Sequence, residues 1–261
     1  MRSLSIAATG MLAQQMNVEV IANNIANVNT TGFKRQRAEF QDLLYQDLLR
    51  AGTNSSDTGT VVPSGIQIGL GVKPAAVYRI TEQGNIAITN NDLDMAINGR
   101  GYFAVELPTG DTGYTRAGAF GRSADGDLVT ANGYIVQPGI TIPTNAVGIS
   151  VNAQGEVSAT IQGQTAPQVV GQLQLANFAN EAGLQAIGDS LFLETTASGL
   201  ATLGNPGAAG FGTIQQGALE TSNVNVVSEI TNLITAQRAY EMNSRVIKAA
   251  DEMLSSVVQL R

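Results

Sequence analysis

Apolar residues recur with a period of seven at the N-terminal end of the chain. Two interleaved series carry the pattern, namely Leu4, Met11, Val18 and Ile25, and Ala7, Gln14, Ile21 and Val28. All of these except Gln14 are apolar, and their mean spacing of about 3.5 residues is typical of a coiled-coil seam. The pattern predicts a helix over residues 1–28, which Asn27, Asn29 and Gly32 then end as turn-forming residues.

The C-terminal end repeats this design. One series starts at Val226 and continues every seventh residue to Leu254, and a second, less apolar series runs from Ile230 to Val258. Ser222-Asn223 mark the helix start and Asn225 is another possible N-cap, so a helix over 224–261 is predicted. We call the apolar positions of both helices the predicted seam, and its members are Leu4, Met11, Val18, Ile21, Ile25, Val28, Val226, Ile230, Leu233, Tyr240, Ile247, Leu254 and Val258.

Two arrangements are compatible with these helices. They could be ordinary surface helices that pack on a globular core, or they could pair with each other. The stripes are narrower than the apolar face of a globular helix and lie at opposite ends of the chain, which favours pairing. A lone helix with so narrow a stripe buries too little apolar area to offset the entropy of ordering its backbone. Both ends are therefore expected to be mobile in a free monomer and to order on assembly.

The middle of the chain has a different pattern. Residues 36–49 carry apolar residues at roughly helical spacing, which allows a short helix, and residues 51–65 are predicted to form a loop or extended arm. Short alternating runs separated by turn residues, such as Asn98-Gly99 and Asp125-Gly126, predict strands from about residue 66 onward. The predicted strands are 77–80, 85–89, 102–105, 147–151, 157–161 and 173–178. The predicted fold is a mainly β central domain flanked by N- and C-terminal α-helices that pair as a coiled-coil-like bundle, α+β overall.

The amino-acid composition narrows the range of possible functions. Only 13% of the 261 residues are charged, which is about half the usual share and suits a protein that associates with copies of itself. The net charge of −7 and the lack of a basic run argue against nucleic-acid binding. No segment has the roughly 18 apolar residues that a membrane helix needs, and no cleavable secretion signal is expected at the start.

No catalytic, cofactor or metal site is predicted. The chain contains neither Cys nor His, which removes thiolate chemistry, the commonest general base and the commonest transition-metal ligand. Asp92 and Asp94 could form a carboxylate pair, but a solvated turn is the better interpretation. Asp125-Gly126-Asp127 resembles part of a calcium loop without its closing Glu, and a hairpin turn is preferred.

Asparagine is concentrated where the first helix ends. Asn23, Asn24, Asn27 and Asn29 lie within seven residues. Carboxamides supply donors and acceptors in fixed pairs, so these side chains could hold a helix end against neighbouring backbone. The alternative is a frayed, solvated helix end.

Two segments resemble a known family. Residues 22–34, 221–227 and 236–244 are similar to the N- and C-terminal motifs of the bacterial flagellar rod and hook proteins. The matching motif residues are Asn23, Asn24, Asn27, Thr31, Gly32, Phe33, Asn223, Asn225, Gln237, Arg238, Tyr240 and Asn243. Within that family, residues 36–46, 63–69 and 137–143 are most similar to the members that build the distal rod. The likeness covers nearly the whole chain, and it departs only at Arg2-Ser3, where those members often have an extra residue.

The resemblance implies an architecture and a set of partners. The helices at 1–28 and 224–261 would form an inner tube, residues 29–92 and 213–223 a connecting segment with an extended arm at about 45–65, and residues 93–212 a β-rich outer domain. The subunits would polymerise into a rigid helical homopolymer that transmits torque. Its neighbours would be proximal rod proteins below, hook protein above and the P and L rings around it, with delivery by the flagellar type III export apparatus. No cofactor, nucleic acid or membrane insertion is implied.

Three alternatives stay open. The chain could be a proximal rod or hook paralogue of the same family. It could be a glycan-binding β module with helical extensions, although aromatic residues total only 5%. It could also be a cell-wall hydrolase that uses Asp92 and Asp94.

Overall fold

A computed structural model of the chain describes residues 2–49, 64–163 and 166–259, with the backbone alone for 49 and 257–259. The described residues form two α-helices, α1 (Arg2–Ala26) and α2 (Val226–Gln259), and a single 3-10 turn at Glu181–Gly183. Strands occupy the middle of the chain. They are β1 (Gln36–Asp42), β2 (Tyr45–Leu49), β3 (Ile66–Gly69), β4 (Val72–Arg79), β5 (Ile86–Ile88), β6 (Met95–Asn98), β7 (Tyr102–Glu106), β8 (Thr112–Thr115), β9 (Phe120–Arg122), β10 (Leu128–Thr130), β11 (Ala146–Val151), β12 (Glu156–Ile161), β13 (Gln168–Gln172), β14 (Leu175–Asn177), β15 (Gln185–Gly188), β16 (Leu191–Leu193), β17 (Thr202–Gly204), β18 (Thr213–Gln216) and β19 (Ala218–Glu220).

The first of two compact units contains both helices. It comprises Met1–Ile25, Gln36–Tyr78 and Asn225–Arg261. The helices run antiparallel: a Cβ atom added to Gly10 would lie 2.9 Å from Asn243 Nδ2, and Asn24 Nδ2 donates a hydrogen bond to Glu229 Oε2 at 3.1 Å. The predicted pairing of the terminal helices is therefore confirmed. In the same unit β1 pairs with β4 and β2 with β3.

The buried side of α2 differs from the predicted seam. Its buried residues are Glu229, Ala236 and Ala250, and Asn243 faces Gly10, so these four positions are spaced by seven residues but start three residues after Val226. The role of the predicted seam in contacts between helices stays a prediction.

The second unit is the β domain, Ala26–Arg35 and Arg79–Val224. Its largest sheet has six antiparallel strands in the order β15-β16-β8-β7-β14-β17, and β11-β12-β13 form a second, three-stranded sheet. Three further pairs, β9 with β10, β6 with β18, and β5 with β19, complete it among the described residues. Successive side chains of β7 point to opposite faces of the large sheet, and apolar residues cover both faces. Phe103 and Val105 enter the main core, whereas Tyr102 and Ala104 join a second apolar cluster on the opposite face.

Most strand predictions are confirmed, and one local prediction is wrong. Residues 36–49 form the strands β1 and β2 rather than a short helix, because each run finds a strand partner, β4 and β3 respectively. The Asp125-Gly126-Asp127 turn joins β9 to β10 as a hairpin, as predicted. A loop or extended arm was predicted for residues 51–65, and residues 51–63 of it lie outside the described part of the chain. The five-part division of the chain stays a prediction.

Candidate assembly site

A cluster of three buried charges lies in the β unit. Glu220, at the end of β19, accepts a hydrogen bond from Lys34 Nζ on Oε1 at 2.5 Å and one from Arg116 Nε on Oε2 at 2.6 Å. The side chain of Glu220 is 0% exposed, and those of Lys34 and Arg116 are 2% and 6% exposed. Lys34 follows the turn after α1 and Arg116 follows β8, so the cluster ties three distant parts of the chain together.

The remaining polar atoms of this cluster are also paired. Arg116 donates to the carbonyl oxygens of Gly101 and Gly99, both at 2.6 Å, and Lys34 Nζ donates to the carbonyl of Glu82 at 2.8 Å. The backbone N–H of Gly84 donates to Glu220 Oε1 at 2.8 Å. A buried ion pair is tolerated only when its other lone pairs and protons are satisfied in this way.

The charges set the protonation state of Glu220. Burial alone would raise the pKa of its carboxyl, but the neighbouring Arg116 and Lys34 together outweigh burial and hold the pKa below the usual range of a glutamate. Glu220 is therefore ionised in the folded protein at neutral pH. It serves as the negative centre that keeps two buried cations in place.

Two glycines allow the backbone to close around the cluster. Gly32 has a φ of +67°, and a Cβ atom there would lie 2.8 Å from the carbonyl carbon of Arg116. A Cβ atom on Gly84 would meet the carbonyl oxygen of Thr221. Gly32 therefore matches the family motif for a physical reason, since a side chain would push the segment after α1 away from Arg116.

Asn223 joins three segments of the same unit through its carboxamide. Its Oδ1 accepts a hydrogen bond from the backbone N–H of Arg35 at 2.7 Å, and its Nδ2 donates to the carbonyls of Ile80 and Glu82, both at 3.0 Å. The carboxamide oxygen and nitrogen of Asn223 therefore satisfy one backbone N–H and two carbonyl groups that would otherwise lack hydrogen-bond partners. This is the role that the sequence suggested for the other asparagines near the end of α1.

In the helical unit, Asn24 has the same role. It is buried, its Nδ2 donates to the carbonyl of Gln36 at 2.7 Å and to Glu229 Oε2, and its Oδ1 accepts the backbone N–H of Gln36 at 2.8 Å. One side chain therefore connects α1, the start of β1 and the first turn of α2.

Asn225 caps α2. Its Oδ1 accepts the backbone N–H groups of Val227 at 3.1 Å and Ser228 at 3.2 Å. Of the predicted start signals it is Asn225, rather than Ser222-Asn223, that caps the helix, and it satisfies two of the four N–H groups that a helix start leaves free.

A pair of isosteric substitutions separates these two asparagine roles. Asn223→Asp is expected to destabilise the β unit by about 2–3 kcal/mol, because a carboxylate cannot donate to the two carbonyls that Asn223 Nδ2 serves. Asn225→Asp is expected to be neutral, because Asp caps a helix as well as Asn and its charge suits the helix N-terminus. Urea unfolding monitored at the tyrosines of the β unit measures both, and equal effects would contradict these roles.

The other motif residues have less uniform surroundings. Asn27 Oδ1 accepts a hydrogen bond from Thr30 Oγ1 at 3.1 Å, Thr31 and Phe33 are half-buried, and Asn23 is exposed. Gln237, Arg238 and Tyr240 are exposed on α2.

The predicted seam is only partly covered. On α1, Ile21 is buried, and Leu4, Met11, Val18 and Ile25 are half-buried, as is Val28 in the turn after the helix. On α2, Leu233 and Ile247 are half-buried, and Val226, Ile230, Tyr240 and Leu254 are exposed. The side chain of Val258 lies outside the described residues.

A groove of about 500 Å³ lies between the two helices at mid-length. Its walls are Gln15, Val18 and Glu19 of α1 and Gln237, Tyr240 and Glu241 of α2. Val18 and Tyr240 contribute apolar surface to it, and Glu19 and Glu241 are its two acidic residues. We call this the helix groove.

The acidic residues weighed as catalytic are part of a turn. Asp94 accepts hydrogen bonds from Thr89 Oγ1 at 2.6 Å and from Asn91 Nδ2 at 3.0 Å. Asp92 is exposed and its carbonyl accepts a hydrogen bond from Gln216 Nε2. Within residues 2–49, 64–163 and 166–259, no three acidic groups gather as a metal would require, and no helix is long and apolar enough to cross a membrane.

The fold defines a class of protein, an α+β chain whose first and last helices pair with each other and whose middle is rich in strands. Family models match three parts of it. They are the flagella basal body rod protein model over residues 4–34, the flagellar hook protein FlgE/F/G D1 domain over 96–159, and the flagellar basal body rod FlgEFG protein C-terminal model over 215–260.

Full-length relatives identify the group within that class. The flagellar basal-body rod protein FlgG of Caulobacter vibrioides is 62% identical over 100% of both chains. That of Agrobacterium fabrum is 56% identical over 98% of both, and that of Bacillus subtilis is 40% identical over 100% of this chain and 99% of the relative. The chain belongs to the family of flagellar basal-body rod proteins FlgG.

Proposed function

We propose that the chain is the structural subunit of the distal rod of the bacterial flagellum. Copies polymerise into a rigid helical tube that crosses the periplasm and the outer membrane and transmits torque from the motor to the hook. The protein has no catalytic role. The full-length similarity to basal-body rod proteins supports the rod assignment.

The exposed apolar surface of α2 carries this proposal. The helix has 34 residues, yet few of its described side chains are buried. Its exposed large apolar residues are Val226, Val227, Ile230, Ile234, Tyr240, Met242, Val246, Met253 and Leu254. Large apolar side chains exposed along a whole helix are a liability in a monomer and are expected in a subunit that associates. The partners for these residues are the helices of neighbouring copies.

The helical arrangement follows from the geometry of such contacts. The apolar residues of α2 lie on several sides of the helix, so one copy can use different faces toward different neighbours. Contacts between unlike faces that do not close into a ring generate a helical filament. We propose that the two helices line the tube and that the β unit forms its outer sleeve.

The remaining partners follow from the place in the flagellum. Proximal rod proteins would contact one end of the polymer and hook protein the other, and the P and L rings would surround it. The subunits would reach the growing end through the flagellar type III export apparatus.

Electron microscopy of the purified protein tests this function. At high protein concentration a straight, rigid tube is expected. A curved or supercoiled tube would indicate a hook-type paralogue instead. Absence of any polymer over a wide range of salt and concentration would overturn the proposal.

Helix content should rise on assembly. An isolated pair of helices with this little burial cannot offset the entropy of ordering them, so both are expected to be largely unfolded in the free monomer. Circular dichroism of the monomer is therefore expected to show nearly equal helix content per molecule with and without residues 226–261, whereas the polymer shows much more. A large loss of helix signal on removing these residues from the monomer would contradict coupled folding.

A further inference from the structure

Gly10 lies inside α1 at a point where a side chain of α2 comes very close. A Cβ atom added to Gly10 would lie 2.9 Å from Asn243 Nδ2 and 3.3 Å from both Cγ and Oδ1 of the same side chain. The carboxamide of Asn243 therefore occupies the space that a Cβ atom would need. Because Cγ itself lies within 3.3 Å, rotation about the Cβ–Cγ bond would not clear that space.

Gly10 and Asn243 are each unfavourable in a helix when they are considered alone. Glycine in a helix interior is destabilising relative to alanine, and Gly10 is the only glycine in α1 or α2. Asparagine is a mediocre helix former, and Asn243 lies in the middle of α2. The close contact gives both residues a physical reason, because Gly10 leaves a space that Asn243 fills.

A second contact between the two helices has the same offset. Asn24 Nδ2 donates a hydrogen bond to Glu229 Oε2 at 3.1 Å. Asn24 lies fourteen residues after Gly10 on α1. Glu229 lies fourteen residues before Asn243 on α2. The two contacts, about four helical turns apart, therefore belong to one and the same antiparallel register.

We infer that the contact between Gly10 and Asn243 selects the register in which α1 and α2 pair. A slip of one helix along the other would place Asn243 opposite a different residue of α1, and every other residue of α1 has a Cβ atom. The slipped pair would then be overpacked at the carboxamide or would have to separate. A single polar residue at a contact between helices can fix their register in this way.

The register matters for assembly because it decides which apolar side chains are presented together. Large apolar residues are exposed along α2, and Leu12 of α1 is 66% exposed. Only one register places these residues side by side in the arrangement that a neighbouring copy meets. This inference rests on the proposed function and names a pair of residues that makes its helical unit specific.

Gly10→Ala tests the contact by adding a single methyl group. Helix propensity alone predicts that this change favours assembly, since alanine is the better helix former. We expect the opposite result, a rise of about tenfold or more in the critical concentration for polymerisation, because the new Cβ atom overpacks the contact with Asn243. Polymerisation equal to or better than that of the wild type would overturn the inference.

A second substitution shows whether Asn243 is the cause. Gly10→Ala with Asn243→Ala should return to within about threefold of the wild type, because the carboxamide nearest to the new methyl group is gone. Gly10→Ala with Asn232→Ala is the matched control. It removes an exposed asparagine of the same helix, with the same gain in helix propensity, and should keep the raised critical concentration. Equal recovery in both double variants, or recovery in neither, would contradict the register contact.

A cross-link across the helix groove measures the register independently of polymer formation. Gln15 and Glu241 both line this groove, and the chain has no cysteine of its own. In the variant Gln15→Cys with Glu241→Cys, a short bismaleimide should join the two thiols within one chain. Adding Gly10→Ala should slow this reaction by about fivefold or more, and further adding Asn243→Ala should restore its rate.

The two measurements separate this inference from the proposed function. If the wild type polymerises but Gly10→Ala changes neither the critical concentration nor the cross-linking rate, the inference fails and the proposed function stands. If the wild type does not polymerise but the cross-linking rate depends on residues 10 and 243 as expected, the proposed function fails and the register contact stands. If the wild type forms neither polymer nor cross-link, both fail.

Discussion

Glu220→Gln is expected to destabilise the β unit by about 3–5 kcal/mol, which lowers its Tm by roughly 10–15 °C. The carboxylate of Glu220 holds two buried cations, Lys34 and Arg116, on its separate oxygens. A glutamine has the same shape but no charge, so both cations would stay buried without a counter-ion. In either orientation its amide N–H₂ would also face a donor, since Oε1 accepts from Lys34 and Gly84 and Oε2 accepts from Arg116.

An exposed pair provides the control for this substitution. Glu39 forms an ion pair with Arg37 at 2.5 Å, but the side chains of Arg37 and Glu39 are 60% and 48% exposed. Glu39→Gln removes the same charge and should change the stability by at most about 0.5 kcal/mol. In a double-mutant cycle, the effects of Lys34→Met and Glu220→Gln on the free energy of unfolding should be strongly coupled. Lys34→Met removes one of the two cations that Glu220→Gln leaves without a counter-ion. Additive effects would contradict the cluster.

The stability of the β unit should also depend on Glu220 at acid pH. Because the neighbouring cations lower the pKa of Glu220 in the folded state, its ionised form contributes stability above the unfolded-state pKa of about 4.3. That stability is lost as the pH falls through the lower folded-state pKa. Between pH 7 and pH 3, Glu220→Gln should therefore lose less stability than the wild type, as measured by urea midpoints. Parallel losses would contradict this protonation change.

The sequence predicts the two helices well because their periodicity is local. The heptad spacing from Leu4 to Ile25 and the cap at Asn225 are visible within a few turns of chain, and both helices begin and end close to the predicted positions. The strands at 36–49 were missed for the opposite reason. Their apolar spacing fits a helix, and only the pairing of β1 with β4 and of β2 with β3 selects the extended state.

The charge cluster could not be predicted from local pattern. Lys34 and Glu220 are 186 residues apart, and Arg116 and Glu220 are 104 apart, so no spacing rule connects them. One indirect signal was present. The chain has only three lysines, and one of them lies directly after the Gly32-Phe33 turn, within the family motif. Its burial depended on where β19 ends, which only the fold determines.

Two asparagine contacts explain the presence of Asn24 near the end of α1 and of Asn223 shortly before α2 in the motif. Asn24 fixes the start of β1 against both helices, and Asn223 fixes Arg35 against the strand end at Ile80. These side chains hold the segments that follow α1 and precede α2. The apolar residues of the helices are left for contacts with other copies.

Leu233→Asp is expected to abolish polymerisation and to leave the β unit folded. Leu233 is half-buried and lies next to Ile230 and Ile234, which are 44% and 46% exposed, so the three form one apolar patch on α2. Packing a neighbour's helix on this patch would bury an unpaired carboxylate, which costs several kcal/mol per subunit. Since each 1.4 kcal/mol is a factor of ten, the critical concentration should rise at least about a hundredfold.

Asn232→Asp is the matched control for Leu233→Asp. It adds the same charge one position away, on an exposed polar site of the same helix, and should shift the critical concentration by less than about threefold. Sedimentation of the polymer measures both variants, and tyrosine fluorescence with urea unfolding checks that the β unit keeps its stability. Normal polymerisation by Leu233→Asp would show that this patch is not a subunit contact. An equal loss in Asn232→Asp would show that added charge, rather than the apolar patch, controls assembly.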